Sequence, residues 1–189
     1  MSQSFLNLID VCDNFRLSQC EETLATFRLS ASGPAVGLLR PRIVSALVED
    51  NESKCAKGEK PSWDVIDAAK SGHSRTIVCF ADWIDTPDKR SFVVKELVES
   101  WHHNGQFADV IGGRLWRNEL YPIYAKPFGP RDDTNFAFSM ERSACSLFGV
   151  MTYGVHLTIY RIVGASAVPK MEDVLVWVPT RAKTKQTYV

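Results

Sequence analysis

Apolar and polar positions change their period several times along the chain, and each change marks an element. Residues 3–12 place Phe5, Leu8, Ile9 and Cys12 at helical spacing, which predicts a short amphipathic helix. Phe27-Arg28-Leu29 and Val36 to Leu39 read as two strands around Ser32-Gly33-Pro34, a turn signal. Pro41 suits the first turn of a helix, where its missing N–H costs nothing. Ile43, Val44, Leu47 and Val48 give that helix one apolar stripe. Asn51 to Lys60 is charged and reads as a solvated loop. Trp63, Val65 and then Thr76 to Phe80 predict strands flanking an AAKSGHSR loop.

Thr86-Pro87-Asp88 is a helix start: threonine as the cap, proline at the first position, an acid in the first turn. Val93, Val94, Leu97, Val98 and Trp101 line one face of this helix, and Asn104-Gly105 stops it. Tyr121 and Ile123 predict a strand within Arg114 to Tyr124, Pro127 to Asp133 reads as a loop, and Phe136, Phe138 and Met140 alternate as a further strand. The densest run of aromatic and β-branched residues is Ser139 to Val163. Within it Val155, Leu157 and Ile159 alternate with His156, Thr158 and Tyr160, the period of a half-buried strand. A second strand runs from Val174 to Val178 and is stopped by Pro179. Two strands cannot bury a face between them, so this pair needs a larger sheet. The order of elements predicts an α+β fold, with a mixed or antiparallel sheet and flanking helices, rather than a doubly wound one.

Composition acts mainly by exclusion. The 189 residues suit one domain, or one and a fraction. Lys+Arg and Asp+Glu balance at 22 each, so no global positive field points to nucleic acid or to a membrane surface. No run approaches the ~18 apolar residues of a membrane span. Asp10 and Asp13, without a basic n-region, do not read as a signal peptide, and a cytoplasmic or nuclear location is expected. The five cysteines (Cys12, Cys20, Cys55, Cys79, Cys145) form no C-x-x-C pair, which favours a reducing compartment over zinc or thioredoxin-like chemistry.

Candidate chemistry is sparse. Adjacent histidines in Trp101-His102-His103 point about 100° apart on a helix, so a solvated helix end is expected rather than a metal pair. His73 has no partner in sequence, and His156 reads as a satisfied sheet histidine or a ligand contact. Glu119 and Glu141 form either a carboxylate pair or salt bridges with Arg117 or Arg142. Ser143 and Ser146 lack a G-x-S-x-G elbow, and no G-x-x-x-x-G-K-[ST] occurs. Arg181, Lys183 and Lys185 make a basic tail that either solvates the end or binds phosphate.

ELYPIY (Glu119–Tyr124), SMERSACSLFGVMTYGVHLTIY (Ser139–Tyr160) and WVPTRAKTKQTY (Trp177–Tyr188) together resemble the Nudix hydrolases of the thiamine-pyrophosphokinase-related group. Members carry a domain of unknown function ahead of the Nudix fold. FLNLIDVCDNF (Phe5–Phe15), VGLLRP (Val36–Pro41) and RNELYP (Arg117–Pro122) resemble that preceding domain, so the likeness runs over nearly the whole chain. It implies hydrolysis of a diphosphate linkage in a small molecule, such as damaged thiamine diphosphate derivatives or oxidised nucleoside diphosphates like 8-oxo-dGDP. It also implies Mg²⁺ or Mn²⁺ held by glutamates of a Nudix-box helix, where helical spacing gathers several carboxylates on one face.

The box itself departs from the family. The only G-x5-E runs from Gly113 to Glu119, and eight residues beyond Glu119 stands Pro127 rather than arginine. The resemblance therefore implies an accessory domain over 1–143 and, over 144–189, the first strands of an incomplete Nudix α/β/α sandwich. Hydrolysis by this chain itself is not expected. Met151, Tyr153 and His156 on the first strand, with Arg181 and Lys185 from the family's R-x-x-T-K segment, are the substrate contacts it implies. Val155, Leu157, Ile159, Val174, Val176 and Trp177 would then pair with upstream strands, self-associate or fray. The competing readings are a non-catalytic ligand-binding or protein-interaction module, and an incomplete gene model or alternative transcript.

Overall fold

Alternation in the first strand decides where the core lies. A computed structural model describes residues 23–154, 157–163 and 173–180. In β1 (Ala25–Arg28), Ala25 and Phe27 are buried while Thr26 and Arg28 are half-buried. The expected turn returns the chain into β2 (Ala35–Leu39), antiparallel to β1, with Gly33 N–H donating to Ser30 O at 3.0 Å. On its other side β1 pairs in parallel with β4 (Ile77–Phe80), all four residues of which are buried. β3 (Trp63–Ile66) pairs antiparallel with β4, which completes a mixed sheet of order β2-β1-β4-β3. A parallel pair needs a long connection, and the chain between β1 and β4 supplies one.

That connection contains α1 (Pro41–Ala56), which begins at Pro41 and buries Ile43, Ala46 and Leu47. The loop expected from Asn51 is instead the last turns of this helix. Asn51 and Lys54 turn their polar groups to β3 and the residue before it, while Glu52 and Ser53 stay exposed. Asn51 Oδ1 accepts from Ser62 N–H at 2.8 Å and Trp63 N–H at 3.1 Å, and Asn51 Nδ2 donates to Trp63 O at 2.6 Å. Lys54 Nζ joins Asp50 and Ser62 at 2.9 and 2.8 Å. A one-turn helix, α2 (Ala68–Ser71), lies inside the second expected loop, capped by Asp67 and closed by Gly72 at φ 70°.

α3 (Pro87–His103) starts and buries its stripe as the sequence predicts, with Thr86 Oγ1 accepting from Lys89 N–H at 3.3 Å. It packs on β6 (Phe136–Glu141), where Ser139 N–H donates to Ser91 Oγ at 2.9 Å. β6 forms a two-stranded antiparallel sheet with β5 (Leu120–Tyr124). β5 starts later than Arg114, because α4 (Ala108–Ile111) and a 3-10 turn (Gly113–Leu115) come first.

The two sheets meet over one aromatic cluster. Phe27 lies 5.4 Å from Phe80, 5.6 Å from Phe148 and 6.3 Å from Phe138 between ring centroids, and Trp63 lies 5.1 Å from Phe80. Phe148 also stacks on Trp101 at 5.9 Å. A 3-10 helix (Arg142–Ser146) carries the chain into this cluster, and Ala144, Cys145, Leu147 and Phe148 are all buried in it. Residues just after 143 thus pack with Phe27 and Trp63.

Gly149 closes this segment against β2. Its carbonyl accepts from Leu38 N–H at 3.3 Å, its φ is 55°, and a Cβ there would collide with the Leu38 carbonyl. Gly149→Ala is therefore expected to cost about 2 kcal/mol, from left-handed strain plus displacement of β2, read as a lowered midpoint in urea.

β7 (Ile159–Ile162) and β8 (Val174–Trp177) pair antiparallel, with Ile159 opposite Trp177 and Ile162 opposite Val174. Among the described residues they pair with no third strand. The half-buried alternation expected from Val155 to Tyr160 is not seen in the described part, since every residue of β7 is exposed. Val155, His156, the helix expected over 3–12 and the basic tail from Arg181 lie outside the described residues. The architecture is α+β.

Candidate functional site

The end of β6 and the start of β5 are tied together by one carboxylate. Glu141 is 7% exposed and accepts from the N–H groups of Arg117, Glu119 and Ser143, each at 3.1 Å, and from Ser143 Oγ at 2.9 Å. Asn118 sits between two of these donors at φ 51°, in the left-handed region. That turn aims its neighbours' N–H groups at a single anion. Arg142 N–H donates to Glu119 O at 2.8 Å, and Arg142 Nη1 donates to Glu119 Oε1 at 2.7 Å. Neither carboxylate is therefore placed for acid–base work: Glu119 is an ion-pair partner and Glu141 a saturated acceptor. The salt-bridge alternative holds for Glu119 with Arg142, while Glu141 is met by backbone and Ser143.

Beside this junction lies an open cavity of about 540 Å³. Arg117, Arg142, Ser143, Thr152 and Tyr153 supply its polar lining, and Val110, Leu115 and Val150 its apolar lining. Asp109 also borders it and is met by Arg42 at 3.7 Å. Cys145 lines the cavity too, but burial, reinforced by the Glu141 charge, pushes its thiol up to about 12. Burial and the Asp64 and Asp82 carboxylates push Cys79 up to about 11. Neither thiol offers a nucleophile near neutral pH.

Of the contacts expected from the sequence, Tyr153 lines this cavity. It is fastened at both ends: its N–H donates to Tyr121 Oη at 2.7 Å and its hydroxyl to Pro127 O at 2.6 Å. The Arg131 guanidinium lies 3.8 Å from the Tyr153 ring centroid and 4.7 Å from that of Tyr124. Met151 is exposed and does not line the cavity. His156, Arg181 and Lys185 lie outside the described residues. The sequence reading treats Arg117 and Arg142 only as partners for glutamates; the β5–β6 register is what brings them to one rim. His102 is no solvated helix end, for its Nδ1 lies 2.7 Å from Ile111 O and its ring stacks on Trp116 at 4.3 Å.

The Mg²⁺ or Mn²⁺ of the resemblance can be tested against the donors at hand. Among the described residues no group of three or more His, Cys, Asp or Glu side chains converges on a point. With Glu119 and Glu141 engaged as above, these residues do not fit a hard divalent cation, and no hydrolytic step follows from them. Among the described residues no helix is long and apolar enough to cross a membrane.

Residues 4–152 match the family described as Domain of unknown function (DUF4743), a span that includes the four-stranded sheet, the β5–β6 sheet and the segment around Phe148. The chain belongs to the DUF4743 family. The DUF4743 chain is also 31% identical over 103 residues to the uncharacterized protein YJR142W of Saccharomyces cerevisiae, covering 53% of this chain and 25% of that protein. It is 29% identical over 105 residues to the chloroplastic Nudix hydrolase 20 of Arabidopsis thaliana, covering 56% of this chain and 23% of that protein. The DUF4743 chain thus spans about a quarter of the length of the curated relatives it matches.

Proposed function

We propose that this chain is the accessory domain of a Nudix-type diphosphate hydrolase, together with the hairpin on which the catalytic sheet is built. One observation carries the reading. β7 and β8 are largely apolar on both faces yet uncovered among the described residues, with Trp177 74% and Tyr160 62% exposed and Leu157, just before β7, 82% exposed. A lone two-stranded hairpin is marginal in water, and apolar residues on both faces call for cover on both. The distant similarity to Nudix hydrolase 20 supports the Nudix part of the reading. The parental reaction in this reading is Mg²⁺- or Mn²⁺-dependent hydrolysis of a diphosphate linkage in a small molecule such as a thiamine diphosphate derivative or 8-oxo-dGDP. The DUF4743 domain contributes position rather than chemistry.

Uncovered strands should reveal themselves in solution. The purified chain is expected to bind an apolar dye such as ANS and to associate as its concentration rises, while Trp177→Lys with Leu157→Lys abolishes both. With Mg²⁺ and 8-oxo-dGDP it should release no phosphate. A dye-silent monomer, or metal-dependent turnover by this chain, would sink the reading.

A further inference from the structure

We propose that the cavity between Arg117 and Arg142 binds a phosphate-bearing small molecule. The proposal stands on the DUF4743 domain alone and does not need the hairpin reading.

Charge is the first argument. Two guanidinium groups line one cavity, and the planar guanidinium fork matches phosphate oxygens in pairs. The Arg117 side chain engages no described residue. Arg142 is ion-paired through Nη1 with Glu119 at 2.7 Å and lies 5.7 Å from the Tyr121 ring centroid, with its other N–H groups making no hydrogen bond to a described residue. Asp109, which also borders the cavity, is met by Arg42 at 3.7 Å, so the lining guanidinium without an ion-pair partner among the described residues is that of Arg117.

Preorganisation is the second. Arg117 is held through its own backbone N–H, and Arg142 follows directly after the residue that holds it. Glu141 occupies the backbone donors as an internal anion and so fixes the strand ends that carry both arginines. Asn118 takes the left-handed conformation that asparagine tolerates, and Glu141 accepts from the N–H groups on both sides of it.

Shape is the third argument. About 540 Å³ exceeds what a bare phosphate needs, and Val110 and Leu115 give an organic group somewhere to lie. Thr152 adds a hydroxyl that can donate to a phosphate oxygen, while the Ser143 hydroxyl is already given to Glu141.

Calorimetric titration of the purified chain with inorganic pyrophosphate tests this. Saturable binding is expected, weakening as salt is raised. Arg117→Ala and Arg142→Ala should each weaken it by about tenfold or more, the scale of one charged hydrogen bond. Arg117→Lys should fall between, and Arg161→Ala, in β7 and not in the cavity lining, should leave it unchanged. Unaltered circular dichroism melts would show that the variants fold. No saturable heat up to millimolar pyrophosphate, equal binding by Arg117→Ala, or equal loss in Arg161→Ala would overturn the proposal. The hairpin reading is scored separately, by dye binding and association.

Discussion

Phe148→Ala is expected to lower the unfolding free energy by about 3–5 kcal/mol. Its ring is fully buried and lies 5.6 Å from Phe27, 6.4 Å from Trp63 and 5.9 Å from Trp101. Those neighbours come from β1, β3 and α3, and all are anchored elsewhere. They cannot collapse into the space the ring leaves, so the cavity term adds to the lost transfer free energy. A domain of this size has roughly 5–15 kcal/mol in hand, so the variant should sit near the edge of folding at 37 °C. Phe148→Leu, which keeps most of the volume, should cost clearly less. Urea unfolding followed by tryptophan fluorescence reads both. A change below about 1 kcal/mol would mean that the residues after 143 do not belong to the core of β1 and β4.

Glu141→Ala should cost about 3 kcal/mol, through a different route. Three backbone N–H groups and one hydroxyl lose their shared acceptor at once, and two of those N–H groups flank Asn118. With the carboxylate gone, the 117–119 segment keeps only the Arg142 bonds to Glu119 and should relax around Asn118. Glu141→Gln should recover a good part of it, because its carbonyl oxygen can still accept the three donors that Oε1 takes, leaving only the Glu119 N–H facing the amide nitrogen. The effect should also appear where Glu141 makes no contact: pyrophosphate binding should weaken along with stability, since both arginines lose their support. Urea unfolding and calorimetry on the same preparations separate the two readouts. A Glu141→Ala protein that unfolds and binds as wild type does would show the junction to be incidental.

Elements written in local chemistry were legible before the fold was. Thr86, Pro87 and the stripe from Val93 to Trp101 define α3 without any tertiary information. The same holds for the β1–β2 turn, where Gly33 closes onto Ser30. Reading failed where polar residues serve distant backbone. Asn51 looks solvated in sequence, yet it is bonded to Ser62 and Trp63 across 11 and 12 positions. Glu141 looks like one of several acids, yet its donors lie 22 and 24 positions back. The cavity was hidden for the same reason. Arg117 and Arg142 are 25 positions apart, and the pairing of Leu120 with Glu141 and the bonds around it bring them together. Tyr153 was singled out, but as a substrate contact; that its hydroxyl and N–H both fasten the chain was not readable from spacing.

The fastening of Tyr153 also has a consequence for reach. Six residue steps separate Tyr153 from Ile159, a contour of at most about 20 Å. Whatever sheet β7 joins is held within that radius of the cavity.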